Sequence, residues 1–104
     1  NISPSKIENI LCLNEFIKQS FVYGDKKNYL VALIISEKEI KEEKIKRIIE
    51  NTNKNLNLIE KIKKFIVISD EFTIDNGMLT PTLKLKRKII IKNYLKQIEN
   101  LYLN

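Results

Sequence analysis

The chain has 104 residues, 43% hydrophobic and 31% charged, with a formal charge of +6 at pH 7. That is room for one modest core and one domain spanning residues 1–104, and no apolar run approaches the ~20 residues of a membrane-spanning helix. The single cysteine, Cys12, excludes an internal disulfide, and the polar N-terminus has no charged-then-apolar leader pattern, so a cytoplasmic setting is expected. The positive charge admits a polyanion such as nucleic acid as partner. A composition rich in Lys, Asn and Ile and poor in Arg, Gly and Pro accounts for the charge without one, and no nucleic-acid partner is expected.

Ser3 before Pro4 suits a helix N-cap followed by proline at the first helical position, where its missing N–H is harmless. Ser5 and Glu8 offer an overlapping capping box. Ile7, Ile10 and Leu11 recur at helical spacing and predict a helix of two or three turns, closed by Cys12 and Leu13. A further short turn follows, with Asn14 as cap and Glu15, Phe16 and Ile17 in it. Residues 20–23 and 29–35 are β-branched or aromatic runs around the polar turn that begins at Gly24, which predicts a hairpin. The second run is apolar on both faces and belongs at the centre of a small sheet covered on each side.

Residues 36–51 read as a helix, with Glu42–Lys46 and Glu43–Arg47 at i,i+4 and an inward stripe of Ile45, Ile48 and Ile49. Leu58, Ile59 and Ile62 mark another short helix, and residues 65–69 a strand. Residues 70–82 are loop, with a turn signal at Asp75-Asn76-Gly77 and Pro81 barring helix. A final helix starts at Arg87, with Ile90, Tyr94 and Ile98 in one stripe and Ile91, Leu95 and Tyr102 beside it. The expected architecture is α+β: a small antiparallel sheet, made of a hairpin and one further strand, packed with four to five helices.

Self-contained catalysis is hard to build from these residues. Histidine, the commonest general base, is absent. Cys12 has no His or Cys partner and reads as a buried structural thiol. Asp70, Glu71 and Asp75 are turn residues rather than a metal cluster, and no metal ligands are expected. Two glycines in the chain leave no Gly-rich phosphate cradle. One segment stands apart: residues 75–87, where a turn leads into Thr80-Pro81-Thr82 and then Lys84, Lys86 and Arg87 crowd the start of the last helix. Cations there oppose the helix dipole and want a reason. A mobile loop that presents lysine to a phosphate would supply one.

That segment, Asp75-Asn76-Gly77-Met78-Leu79-Thr80-Pro81-Thr82-Leu83-Lys84-Leu85-Lys86-Arg87, closely resembles the terminal motif of long-chain acyl-CoA synthetases in the adenylate-forming superfamily. The opening residues 1–9 resemble the start of that family's C-terminal domain. Residues 21–24 and 29–34 resemble its hairpin, and Asn93-Tyr94 with residues 98–102 its last helix. Nearly the whole chain is covered. The resemblance implies the small C-terminal lid domain of a fatty acid–CoA ligase that consumes ATP with Mg2+ and CoA. The ATP loop, adenine pocket and acyl tunnel would lie in a large N-terminal domain, the lid's partner along with the fatty acid. The isolated chain is then expected to be inactive and to bind neither ATP nor fatty acid.

The resemblance also implies site residues. A lysine on a loop of this domain serves adenylate formation. Aligning Thr82 with the threonine of the superfamily's Pro-x-Thr-x-x-Gly-Lys pattern places Lys86 at that position and leaves Lys84 as the rival, with Leu85 where glycine is common. Arg87 would be a neighbouring electrostatic or structural residue within reach of the cofactor. Asn1 and Ser3 would lie near the pantetheine tunnel, Ser3 doubling as helix cap, and Lys6 or Lys26 could meet the phosphates of CoA. The same motifs fit an acyl-carrier-protein ligase or the adenylating module of a reductase. Fatty substrates would suit peripheral attachment to the inner face of a membrane.

Overall fold

The computed structural model describes residues 2–103. Helix α1 is Pro4–Leu11, β1 Ile17–Tyr23, β2 Leu30–Ser36, α2 Glu42–Asn53, β3 Ile62–Val67, α3 Arg87–Asn93 and α4 Leu95–Leu101, with a single 3₁₀ turn at Leu58–Glu60. The strands lie in the order β1-β2-β3, so β2 is central, as its two apolar faces require. Side chains alternate across it. Leu30, Ala32 and Ile34 join Ile7 and Leu11 of α1 and Ile45 and Ile49 of α2 on one face. Leu33 and Ile35 join Phe21, Phe72, Ile90 of α3 and Ile98 of α4 on the other.

The α+β architecture matches the expectation, but its sheet is mixed. β1 pairs antiparallel with β2, whereas β3 runs parallel to β2. The crossover through α2 makes this possible, because parallel neighbours need a long connection and a hairpin cannot supply one. The amide of Asn53 at the end of α2 fixes where β3 starts. Its Nδ2 donates to the Ile62 carbonyl at 2.8 Å and its Oδ1 accepts from the Ile62 N–H at 2.9 Å.

Several boundaries differ from the sequence reading. The first strand begins at Ile17, not at 20, because Asn14 forms a side-chain turn with the Phe16 N–H at 2.9 Å and delivers the chain directly into the sheet. The first helix is capped by Ser3, whose Oγ accepts from the Lys6 N–H at 3.4 Å, and Glu8 takes no part in a capping box. Helix α2 starts six residues after Ser36, where Glu42 and Glu43 complement the dipole of its first turn. The helix expected around Leu58, Ile59 and Ile62 is only one 3₁₀ turn: Leu58 and Ile59 are exposed and Ile62 already belongs to β3. The final helix breaks at Tyr94, whose backbone (φ −117°, ψ 24°) separates α3 from α4, and Leu95 is exposed.

Candidate functional site

The segment between β3 and α3 is closely tied to the sheet. The Gln19 amide on β1 takes both backbone groups of Phe72, donating to its carbonyl at 2.9 Å and accepting from its N–H at 2.8 Å. Phe72 is buried in the second core. Asn76 staples the turn that follows: its Oδ1 accepts from the N–H groups of Thr73 and Met78, and its Nδ2 donates to the Glu71 carbonyl. Gly77, at φ +80°, supplies a left-handed turn position that suits glycine. The stretch read as a mobile loop is therefore an internally bonded connection.

A small hairpin then carries the lysines. Leu79 and Leu85 face each other in an antiparallel bridge. Thr80 donates its N–H to the Lys84 carbonyl at 2.8 Å, and the Leu83 N–H donates to the Thr80 carbonyl at 2.8 Å. The Thr80 hydroxyl accepts from the Lys84 N–H at 3.0 Å and lies 3.1 Å from the Thr82 hydroxyl. Pro81 suits the second position of this turn because its φ is preset. Leu83 comes next in the left-handed region, at φ 65°, as happens in short hairpins that close with a bulge. That conformation normally selects glycine. The residue whose backbone asks for glycine thus stands directly before Lys84, while Leu85 lies in the bridge outside the left-handed region.

Lys84 and Lys86 are both exposed. Among the described residues neither is in an ion pair, the three pairs being Lys6–Glu60, Lys18–Glu71 and Arg87–Glu8. Lys86 is the N-cap residue of α3, its N–H donating to the Met78 carbonyl at 2.8 Å. Lys84, and not Lys86, lines an open cleft of about 670 Å³ between α1, β1 and the hairpin. Ser5, Glu8, Ser20 and Arg87 share that lining. Lys18, also on the cleft, has its pKa pushed up by a 3.0 Å hydrogen bond to Glu71 and by that carboxylate's charge.

Arg87 opens α3 and forks onto Glu8 of α1, Nη1 to Oε2 at 2.9 Å and Nη2 to Oε1 at 2.6 Å. The Glu8 Oε2 also accepts the Val22 N–H of β1 at 2.7 Å. The first turn of α3 contains no acidic residue, so Glu8 provides from a distant helix the negative charge that this cation-rich N-terminus lacks. Arg87 also lies over the Phe21 ring, 5.6 Å from its centroid. Glu8 was read as a local capping-box residue because its true partner is 79 residues away; the signal for that partner was the unexplained cation cluster at the head of α3.

The remaining expected site residues are scattered. Ser3 is occupied as the cap of α1. Asn1 lies outside the described residues. Lys6 approaches Glu60 at 4.0 Å, and Lys26 sits at the hairpin turn with φ 58°. Cys12 overturns the expectation of a buried thiol. It is exposed at the C-cap of α1, where it lines the open cleft with its Sγ 3.4 Å from the Ser20 hydroxyl. Asp70, Glu71 and Asp75 form no metal-binding group, and no cluster of three such ligands occurs among the described residues. No helix of the described residues is long and apolar enough to cross a membrane.

The fold as a whole has close counterparts in known proteins. The family model described as the AMP-binding enzyme C-terminal domain matches residues 1–104. The chain belongs to this family. As an AMP-binding enzyme C-terminal domain, it is 34% identical to the human long-chain fatty acid–CoA ligase 6, a match covering 97% of the chain and 18% of the relative. It is 30% identical to a chloroplastic long-chain fatty acid–[acyl-carrier-protein] ligase of Arabidopsis thaliana, over 98% of the chain and 15% of that protein. The domain thus spans less than a fifth of these relatives. Among solved structures, the adenylation domain of a carboxylate reductase from Mycobacterium chelonae superposes with a TM-score of 0.90 at 26% identity, covering 99% of the chain and 18% of that protein.

Proposed function

We propose that this chain is the C-terminal lid domain of an AMP-forming long-chain fatty acid–CoA ligase. In this reading a fatty carboxylate oxygen attacks the α-phosphorus of ATP, pyrophosphate leaves, and the acyl-adenylate then yields its acyl group to the CoA thiol with release of AMP. The lid's contribution to the first step is a positive charge. An ammonium placed between the incoming carboxylate and the α-phosphate offsets repulsion between two anions and the charge that builds in the transition state. For the second step the lid turns and offers another face.

The observation that carries the reading is the lysine hairpin: two exposed ammonium groups, free of ion pairs among the described residues, on a backbone pinned at both ends. Of the two we assign Lys84 as the adenylation lysine and Lys86 as its alternative. Support for Lys84 comes from the left-handed backbone of Leu83 directly before it, a conformation that glycine adopts most readily, set against the residue-by-residue alignment that puts the pattern's glycine at Leu85 and its lysine at Lys86. Further support is that Lys84 faces the cleft. The identity with long-chain ligases of this length and coverage supports the substrate class. ATP and CoA would bind largely to the rest of the enzyme, which would also hold Mg2+, since the described residues gather no ligand set for it. The isolated domain is then inactive. Cytoplasmic residence, with the enzyme resting on a membrane face, goes with a fatty substrate.

A second reading is favoured by the plant carrier-protein ligase and the reductase adenylation domain: the same lid with a carrier-protein thiol as acceptor. The test uses the complete enzyme. Lys84→Ala should slow pyrophosphate release severely, to a residual rate that can still be measured, while sparing thioester formation from supplied acyl-adenylate. If Lys86→Ala does this and Lys84→Ala does not, the two lysines exchange roles; equal loss in both half-reactions removes the lysine role altogether. Offering CoA and carrier protein in parallel decides the acceptor.

A further inference from the structure

The Glu8 carboxylate is too well placed to be only a surface partner. It is almost fully buried, with three hydrogen bonds of 2.6 to 2.9 Å on two oxygens, and these reach two other elements of the fold. Its Arg87 partner is the residue after Lys86 and three after Lys84. The lysine hairpin therefore has one end on Phe72, held by Gln19, and the other on Arg87, held by Glu8. Glu8 and Lys84 line the same cleft. The carboxylate does not contact the lysine. It acts on the backbone that presents it.

We propose that Glu8 is a positioning residue for the lysine hairpin: through its fork onto Arg87 and its bond to Val22 it fixes where the ammonium of Lys84 is delivered. The proposal rests on the lid reading above. A bidentate guanidinium–carboxylate pair constrains orientation as well as distance, whereas lysine at 87 would hold the charge without the fork. Glutamine at position 8 keeps the volume and an oxygen for Val22 but removes the charge that Arg87 clasps. Displacing a reacting group by about an ångström lowers a rate by roughly ten- to a hundredfold.

The test compares half-reactions in the complete enzyme for Glu8→Gln, Arg87→Lys, Lys84→Ala and the double variant Glu8→Gln/Lys84→Ala. Glu8→Gln and Arg87→Lys should each lower kcat for adenylate formation about tenfold or more, with KM for ATP within about twofold and thioester formation from supplied acyl-adenylate intact. In the Lys84→Ala background Glu8→Gln should have no further effect on adenylation, because the group it positions is gone. The thioester half-reaction serves as the internal measure of folding. An equal fall in both half-reactions, or the same factor in both backgrounds, would show a merely structural role and overturn the proposal. No change in adenylation on Glu8→Gln also overturns it. If neither Lys84→Ala nor Lys86→Ala affects adenylation, the lid reading itself fails, a different result from failure of Glu8 alone.

Discussion

Glu8 and Arg87, 79 residues apart in the chain, meet in a forked pair that joins α1 to the first residue of α3. The pair is asymmetric: the Glu8 side chain is 7% exposed and the Arg87 side chain 37%. Water therefore solvates the guanidinium readily when its partner is lost, and the carboxylate less readily, through the cleft that both residues line.

This asymmetry predicts unequal mutants. Arg87→Ala strands a largely buried carboxylate with one remaining donor, the Val22 N–H, and, because the guanidinium is partly exposed, should destabilise the domain by about 3 kcal/mol, the low end for a broken buried pair. Glu8→Ala leaves a half-open guanidinium that water solvates and an unpaired Val22 N–H, and should cost about 1–3 kcal/mol. The double variant should cost less than the sum, since the two residues share one interaction. Urea denaturation of the four proteins closes the cycle. If Glu8→Ala were the more damaging change, burial would not be what sets the energetics of this pair.

Leu83 sits at φ 65° with two-thirds of its surface exposed. A non-glycine residue there carries about 1–2 kcal/mol of left-handed strain, while glycine gives back roughly 0.5–1 kcal/mol through the freedom it adds to the unfolded chain. Little burial is at stake. Leu83→Gly should therefore be neutral or stabilising by up to about 1 kcal/mol, and Leu83→Val, stiffer at χ1, should lower stability by about 1 kcal/mol or more. Thermal unfolding midpoints measure both. A clear loss on Leu83→Gly would mean that the leucine side chain itself makes a stabilising contact.

How much of this was legible beforehand depended on whether a signal was periodic. The two-sided apolar run of β2 and the Ile45–Ile48–Ile49 stripe on α2 announced their own positions, because burial repeats along one element. The strand at Ile62 was blurred by its neighbours: Leu58 and Ile59 mimic a helical apolar face yet stand in solvent. Strand direction was misread as antiparallel: a parallel and an antiparallel β3 present the same residues, and the helical crossover from β2 was the signal for a parallel pair. The candidate site divided in the same way. The local turn chemistry of Thr80–Pro81–Thr82 and the cation cluster were visible, whereas the left-handed backbone of Leu83, on which the proposal for Lys84 draws, was not. The roles of Glu8, Gln19 and Asn53 were missed because each satisfies a backbone or charge brought near only by folding.

Gln19 illustrates what such a side chain contributes. Its amide acts as a surrogate strand for Phe72, bonding the carbonyl at 2.9 Å and the N–H at 2.8 Å. Gln19→Leu would keep the volume and leave both backbone groups of a buried residue unpaired, costing about 1–3 kcal/mol. Phe72→Ala would open a cavity in the second core and cost about 3–5 kcal/mol. Amide hydrogen exchange distinguishes the two. Gln19→Leu should speed exchange in residues 72–79 while β2 stays protected, and Phe72→Ala should lower protection across the second core. Uniform loss of protection in Gln19→Leu would argue that its bonds support the whole sheet and not the connection alone.

Tyr102 gives the fold a pH limit on the alkaline side. Its single O–H is shared between the carbonyls of Tyr29 at 2.9 Å and Tyr23 at 3.2 Å, which ties the end of α4 to the β1–β2 hairpin. Burial disfavours the phenolate, with smaller contributions from Tyr23 and Tyr29, and the pKa is pushed up to about 12 from 10.0. The native state therefore holds this proton after the unfolded chain has begun to lose it. Where the native state binds more protons, stability falls as pH rises. The contribution is complete below the unfolded pKa near 10 and is lost as pH climbs through 10 towards 12. Tyr102→Phe removes both the proton and the shared hydrogen bond. In urea melts the gap between wild type and Tyr102→Phe should be widest below pH 10 and narrow towards pH 12, as effects common to both proteins cancel. A gap that stays constant over that range would place the Tyr102 hydroxyl in water rather than on the two carbonyls.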